Sequence, residues 1–244
     1  RGSDLDACAT FWQYHRPDYF ARFSPIQIAW HTQKIVDAGK LADNEFMVAA
    51  SNETSKGGTE LLIYCKDRPA LFAQIASVID SRNCSIHDAQ ISVTSAGYVF
   101  DSMIVLDHEN KRIGSQQQVN SFVKAIKNQL IRPGHTHLNS RKMSRRMKHL
   151  NVPTKVRFYS SQEDSTLIEL EALDAPGLLA RIGHLFVDIN ITLKMAKITT
   201  IGERAEDVFI VCNSHGKALT QEQQVLVRRL ITTKLDQPEA NSAA

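Results

Sequence analysis

The chain of 244 residues lacks the features that would assign it to several special classes of protein. It has four cysteines, far apart and without a C-x-x-C pair, so neither a structural zinc site nor a disulfide scaffold is expected. It has no apolar run of about 18 residues, so no membrane-spanning helix is expected. Hydrophobic residues make up 43% and charged residues 23%, which is typical of a folded protein rather than a disordered or fibrous one.

The chain also lacks a strong excess of charge and a targeting segment. Its formal charge is +3, from 29 basic and 26 acidic residues, which does not require a nucleic acid partner, and none is expected. It begins Arg1-Gly2-Ser3, without methionine and without the basic and apolar regions of a signal peptide. We therefore expect a piece of a longer protein that works in the reducing cytoplasm.

Aromatic residues are concentrated near the start, where eight of the 17 fall within the first 46 residues. Ser24-Pro25-Ile26-Gln27 is typical of a capping box with proline at the first helical position, and Gly39 stands where that helix would end. Residues 1–40 are therefore predicted to be helical. They are either the tail of a preceding domain or a helix packed on the core of this chain.

An internal repeat is the most informative feature of the sequence. A shift of 107 residues places Asp67-Arg68-Pro69-Ala70-Leu71 on Asp174-Ala175-Pro176-Gly177-Leu178. Other coincident pairs are Thr59 and Thr166, Ala73 and Ala180, Ile75 and Ile182, Asn83 and Asn190, Ala89 and Ala196, Ile91 and Ile198, and, after a one-residue slip, Asp101 and Asp207. This many matches in one register indicate two copies of one module.

Each copy has the pattern of strand, helix, strand, strand and helix. Pro69 and Pro176 are predicted to occupy the first position of the first helix, and Ser115-x-x-Gln118 and Thr220-x-x-Gln223 predict a capping box at the last helix. A ferredoxin-like sheet needs a fourth strand, and the best candidates precede each first strand, at residues 46–51 and 155–160. A hairpin would place each of them beside the first strand. The sequence therefore predicts an α+β protein of two permuted ferredoxin-like modules (ββαββα), each an antiparallel four-stranded sheet with two helices, preceded by a helical arm.

The predicted domains follow from this pattern. The first module spans 45–132 and the second 153–236, and residues 237–244 form a disordered tail. The connector, 133–152, contains arginines, lysines and three histidines but no acid. It is interpreted as a solvated linker, with a basic patch for nucleic acid or an acidic partner as the alternative.

The Asp67–Leu71 and Asp174–Leu178 motifs on this plan resemble the ACT domain family of small-molecule regulatory modules. Arg22-Phe23-Ser24-Pro25, residues 87–91 and the string 196–207 are similar to the C-terminal part of the family of bacterial bifunctional uridylyltransferase/uridylyl-removing enzymes. The resemblance implies a nucleotidyltransferase domain and a metal-dependent HD domain upstream, with residues 1–40 as the end of the HD region or its exit.

The resemblance also implies a function. Such an enzyme senses glutamine as its effector and adds UMP to the nitrogen-signalling protein PII or removes it. Magnesium would serve the parent enzyme, whereas no cofactor, metal or catalytic residue is expected in this part, which is expected to have no activity alone. Oligomers would form through the ACT sheets. The alternatives are a free-standing tandem regulator that binds a partner, or an RNA-binding module with Tyr64, Tyr98 and Phe100 as stacking aromatics.

The two motifs also predict a ligand site. A helix start offers backbone N–H groups and a favourable dipole to the carboxylate of an amino acid, and Gly177 would allow close approach of the backbone. The alternative is that the Asp residues cap helices and the Asn residues occupy turns. The candidate ligand-binding residues are Asp67, Arg68, Pro69, Ala70, Leu71, Asn83 and His87 in copy one, and Asp174, Ala175, Pro176, Gly177, Leu178, Asn190 and Lys194 in copy two.

The two copies differ on one sheet face. The run Leu61-Leu62-Ile63-Tyr64-Cys65 is apolar on both faces, whereas Glu169 and Glu171 make one face polar in copy two. A strand that is apolar on both sides is usually buried on both sides. We therefore expect the helix-free face of copy one to be covered, by residues 1–40, by the second module or by a partner chain, and that of copy two to be wetter.

Overall fold

The computed structural model describes residues 2–14, 17–54, 57–132, 152–162 and 164–236. The arm consists of α1 (Gly2–Gln13), α2 (Pro17–Arg22) and α3 (Pro25–Ala38). The first module contains β1 (Phe46–Ser51), β2 (Thr59–Lys66), α4 (Leu71–Ser81), β3 (Ser85–Val93), β4 (Tyr98–Leu106) and α5 (Gln116–Ile131). The second contains β5 (Lys155–Gln162), β6 (Ser165–Leu173), α6 (Leu178–Asp188), β7 (Thr192–Ile201), β8 (Arg204–Cys212) and α7 (Gln221–Asp236).

The predicted fold is confirmed, with each candidate extra strand beside the first strand of its module. The eight strands form one antiparallel sheet in the order β1-β2-β4-β3-β7-β8-β6-β5. The predicted basic connector and the predicted disordered tail lie outside the described residues. The proposed domain limits stay a prediction.

The two modules join at the centre of the sheet, where β3 pairs with β7. Ala89 lies opposite Ile198 and Ile91 opposite Ala196, so the repeat positions exchange across the seam. Beneath it α4 packs on α6, and the equivalent residues Ser77 and His184 meet with 2.9 Å between Oγ and Nε2. The modules are therefore related by an approximate two-fold axis, and their cores form one continuous cluster.

The capping signals locate most helix starts correctly. Ser24 and Ser115 each form the predicted capping box with a glutamine three residues later, and Thr220 and Gln223 exchange the same two bonds before α7. Gly39 ends α3 at φ 67°. The prediction for Pro69 and Pro176 was wrong. Each precedes a residue in the left-handed region, Ala70 (φ 60°) or Gly177 (φ 70°), so the helix begins only after it.

The arm covers the helix-free face of the first module. Phe11, Tyr19, Phe23 and Ile35 pack on Leu62 and Phe100, both of which are fully buried. Of the two interpretations of residues 1–40, the one that these contacts support is a helical segment packed on the core of this chain. Phe100, one of the three stacking aromatics of the RNA-binding alternative, lies beneath the arm and offers no ring to a base.

A polar network holds the arm to the sheet. Glu60 on β2 is 2% exposed and accepts hydrogen bonds from Gln27 Nε2 (3.0 Å) and Ser102 Oγ (2.7 Å), and it pairs with His31 Nε2 (2.8 Å). The other ring nitrogen of His31 lies 3.1 Å from the Tyr19 hydroxyl. At the equivalent position the second module has Leu167. The network therefore belongs to the copy that carries the arm.

Candidate functional site

A cavity of about 430 Å³ lies at the boundary between the modules. The Asp174–Leu178 junction of the second module forms one wall, and the end of α4 with the start of β3 forms the other. The described residues that line it are Ala76, Ile79, Asp80, Cys84, Ser85, Ile86, His108, Asn110, Asp174, Ala175, Pro176, Gly177, Leu178, Leu179, Ala180, Gly202 and Glu203.

The start of α6 opens into this cavity. Leu178, Leu179 and Ala180, the first residues of the helix, all line it, and the N-cap residue, Gly177, has no side chain with which to cap the helix. The first N–H groups of a helix have no partner within the helix and carry its positive dipole end. Gly177, in the left-handed region, brings the backbone close to Asp80, since a Cβ at this position would lie 3.3 Å from Asp80 Oδ2. Because Leu178 N donates to the Ala175 carbonyl at 3.0 Å, it is the positive dipole end of α6 that favours an anionic group at this wall.

Three carboxylates give the cavity negative charge. Asp80, Asp174 and Glu203 line the cavity, and none of its described lining residues is lysine or arginine. Burial raises the pKa of Asp174, while a hydrogen bond with Thr200 and the charge of His87 lower it. Because His87 belongs to the other module, the site combines charges from both copies. An ammonium group would neutralise these acids.

The equivalent junction of the first module has a different chemistry. By the repeat, Asp80 corresponds to Val187, which is 42% exposed. The Glu203 carbonyl accepts a hydrogen bond from Asp174 N, and in the first module the Gly97 carbonyl accepts the same bond from Asp67 N. Glu203 therefore corresponds to Gly97. Two of the three acids at the second junction therefore have no acidic counterpart at the first.

The structure places the candidate residues of the first junction in varied surroundings. Asp67 and Pro69 are exposed, Ala70 precedes α4 without a side-chain cap, and Leu71 is buried in the core. Arg68 donates from Nη2 to the Leu130 carbonyl (3.0 Å) at the end of α5, where a cation is favoured. Asp67 forms no N-cap bond, so the capping alternative does not hold here.

The remaining candidates lie at turns and bulges. Asn83 and Asn190 are exposed residues in the left-handed region that end α4 and α6, as the turn interpretation expects. His87 and Lys194 occupy equivalent β-bulges in β3 and β7. Lys194 Nζ donates to the Asp164 carbonyl (3.3 Å), and His87 is exposed. None of these four lines the cavity.

Sequence reasoning missed the wall contributed by the first module. Asp80, Cys84 and Ser85 line the cavity. The repeat draws attention only to equivalent positions of the two copies, whereas this cavity is formed by positions that are not equivalent. The acid at Asp80 opposite valine in the other copy was the one signal available.

Two features are absent from the described part of the chain. Among those residues no helix is long and apolar enough to cross a membrane. Within the same ranges no three His, Cys, Asp or Glu side chains are grouped so that they could hold a metal ion.

Comparison with known proteins gives the following relatives. Residues 1–34 match the family described as Uridylyltransferase GlnD fifth domain. The bifunctional uridylyltransferase/uridylyl-removing enzyme of Vibrio parahaemolyticus is 41% identical over 226 residues, which cover 92% of this chain. That of Pasteurella multocida is 42% identical over 221 residues, covering 90% of this chain. The chain spans 25% of the length of each of these relatives.

Two solved structures are also similar. Aspartate kinase from Synechocystis aligns with 73% of this chain and 27% of its own, at 15% identity and a TM-score of 0.43. A putative glycine cleavage system transcriptional repressor aligns with 72% of this chain and 91% of its own, at 15% identity and a TM-score of 0.27.

Proposed function

The chain corresponds to a C-terminal region of the bifunctional uridylyltransferase/uridylyl-removing enzymes, and on that premise we propose that it senses glutamine for such an enzyme. The single observation that carries the proposal is the cavity between the modules, with the start of α6 on one wall and three carboxylates around it. A free amino acid carries both a carboxylate and an ammonium group. The start of α6 would bind the first, and Asp80 and Asp174 the second.

The charge of the cavity favours glutamine over glutamate. The described lining contains three acids and neither lysine nor arginine, so a second carboxylate on the ligand would be repelled. A neutral amide can instead exchange hydrogen bonds with polar groups such as Ser85, His108 and Asn110. A sensor of a metabolite at millimolar concentration needs only about −4 kcal/mol of binding free energy. A few hydrogen bonds supply this.

In the whole enzyme, the nucleotidyltransferase and HD domains would respond to this ligand by adding UMP to PII or removing it. Coupling between two sites is typically worth about 1–3 kcal/mol. Ligand contacts to both modules could provide it, because a bound amino acid would fix α4 of one module against the junction of the other.

Calorimetry on the 244-residue chain with glutamine, glutamate and asparagine tests the proposal. We expect heat of binding for glutamine and a smaller affinity for glutamate. Asp174→Asn should weaken glutamine binding about tenfold or more, because it removes a half-buried charge partner. Asp67→Asn is the matched control at the first junction and should leave binding unchanged.

Two results would contradict the proposal. One is the absence of any heat or melting shift at glutamine concentrations of about 50 mM, far above a millimolar dissociation constant. The other is the reverse order of the variants, with loss of binding in Asp67→Asn and none in Asp174→Asn. That order would move the site to the first junction.

A further inference from the structure

Strand β1 forms one edge of the eight-stranded sheet, since β2 is its only partner in the strand order of the described residues. An edge strand presents backbone N–H and C=O groups that can pair with another chain. Here Met47 to Ala50 form the floor of a groove of about 480 Å³. Helix α5 contributes Val119 and Val123 to one wall, and α3 of the arm contributes Lys34 to the other.

The rim of this groove is basic. Lys34 on α3 and Lys124 and Lys127 on α5 all line it, and none of its described lining residues is acidic. None of the three lysines forms an ion pair with a described residue. Their positive charge is therefore not neutralised by the part of this chain that the structure describes.

At the opposite edge of the sheet, an arginine contacts the edge strand β5. Arg228 of α7 donates from Nε to the Val156 carbonyl of β5 at 3.3 Å, and its guanidinium lies 5.1 Å from the centre of the Phe158 ring. Counted from the capping residues of α5 and α7, the position of Arg228 is occupied in the first module by Val123. The edge groups of β1 thus have no such donor among the described residues.

We propose that β1 binds an extended acidic segment of another protein as an added strand. Such a segment would pair with the backbone of β1 along its edge, and its side chains would project to both sheet faces. Acidic side chains would then reach Lys124 and Lys127 on one face and Lys34 on the other, while apolar ones would cover Met47 and Val123.

The charges exclude the two nearest alternatives. A second copy of this chain pairing through β1 would place the same three lysines against each other, because a two-fold contact joins identical surfaces. A nucleic acid could neutralise the lysines, but its backbone has no N–H groups to donate to the carbonyl groups of β1, and the floor of the groove is apolar.

The test uses a fluorescein-labelled peptide of about eight residues in which Glu-Glu and Val-Val pairs alternate, so that each sheet face receives both residue types. Its binding to the 244-residue chain is measured by fluorescence anisotropy. We expect saturable binding that weakens as salt is raised from about 0.1 M to about 1 M, since rim charges are screened. Backbone amide exchange of β1 should slow in the complex. The same peptide with Lys for Glu, and a version N-methylated along one edge, should both bind at least about tenfold more weakly.

Variants locate the contact. Lys124→Glu with Lys127→Glu should reduce the affinity about tenfold or more, whereas the matched reversal Lys111→Glu, on the turn after β4, should leave it unchanged. Val123→Arg, which copies the arginine of the second module, should also weaken binding. Three results would overturn the proposal. The N-methylated or the lysine peptide could bind as tightly as the original peptide, the double variant could keep its affinity, or a single-stranded oligonucleotide could compete equally well. A dimer formed through β1 in sedimentation would also overturn it.

Discussion

At the scale of single residues, Glu60 shows how one buried charge can fix an entire segment. Its carboxylate lies under the arm, and its partners come from α3 and from β4 of the sheet. Burial raises its pKa, but the hydrogen bonds from His31, Gln27 and Ser102 outweigh this, so the pKa of Glu60 lies below its ordinary value. A buried charge is tolerated when its hydrogen bonds are satisfied.

Glu60→Leu, which introduces the residue of the second module, should lower the free energy of unfolding by about 2–4 kcal/mol, because Gln27, His31 and Ser102 lose a buried partner. Urea denaturation measures this, with Glu169→Leu on the exposed face of the second module as the control.

The lowered pKa of Glu60 makes the stability of the fold depend on pH. The contribution of Glu60 is present above the ordinary glutamate pKa of about 4.3 and is lost as the pH falls through the lower folded value. The wild-type chain should therefore lose more stability than the Leu variant on acidification below about pH 4. Parallel acid profiles for the two proteins would contradict this role.

Asp207 is the opposite case. It is 1% exposed, accepts one hydrogen bond from Thr199 N (3.2 Å), and its Oδ2 has no hydrogen-bond partner among the described residues. Burial raises the pKa of Asp207 to about 8, and the nearby Asp174 also raises it. The folded chain therefore binds a proton here that the unfolded chain releases near pH 4.

A raised acid pKa makes stability fall as the pH rises from about 4 to about 8, with a slope that approaches 1.4 kcal/mol per unit in the middle of this window. Asp207→Asn keeps the acceptor for Thr199 and removes the titration. Its melting temperature should match the wild type near pH 4, exceed it at pH 8, and change less between them. Glu206→Gln, on the outer face of the same strand, should not alter the profile.

At the scale of elements, the packing of α4 on α6 depends on small residues. A Cβ on Gly183 would lie 2.9 Å from Ala73 Cα, a backbone atom that cannot swing away. An alanine in place of a helical glycine normally stabilises a helix by about 0.5–1 kcal/mol. Gly183→Ala should instead destabilise the chain by about 1–3 kcal/mol, because the helices must separate.

Thermal melting checks this, with Asn128→Ala on the exposed side of α5 as the control. A gain in stability for Gly183→Ala would show that the two helices can move apart without loss of packing.

The elements also show what local sequence can predict. Strands and capping boxes were predictable because alternation, helical periodicity and Ser-x-x-Gln patterns are local signals. The starts of α4 and α6 were mispredicted, since the left-handed conformation of Ala70 carries no signal in an alanine. The cavity could not be predicted because it joins the end of α4 to a junction about 95 residues away, a proximity fixed by the β3–β7 pairing and by the packing of α4 on α6.

At the scale of the whole molecule, the two copies differ by what lies on their outer sheet faces. The expected difference is confirmed: Leu62 is fully buried beneath the arm, whereas Tyr159 is 47% exposed and Arg157 and Glu171 form an exposed ion pair at 2.8 Å. The apolar character of both faces of β2 was the sequence signal for this cover. The sequence of β2 did not indicate whether residues 1–40, the second module or a partner chain would cover it.

Phe23→Ala should lower the free energy of unfolding by about 3–4 kcal/mol, because the ring is buried between the arm and Phe100. Tyr159→Ala, an aromatic on the uncovered face, should change it by less than about 0.5 kcal/mol. Removal of residues 1–38 should increase the binding of a hydrophobic dye and the scattering of light. A truncated chain that scatters no more light and binds no more dye than the full chain would refute the role of the arm.

The seam between β3 and β7 has a further consequence. If the two modules were separate chains, the fraction paired through β3 and β7 would depend on their concentration, and the pairs would dissociate on dilution. On a single chain the two modules are covalently linked, so the pairing of β3 with β7 is an intramolecular event. A cavity built from both copies therefore survives at any protein concentration, and each half of the pair is free to diverge, as Asp80 and Val187 have done.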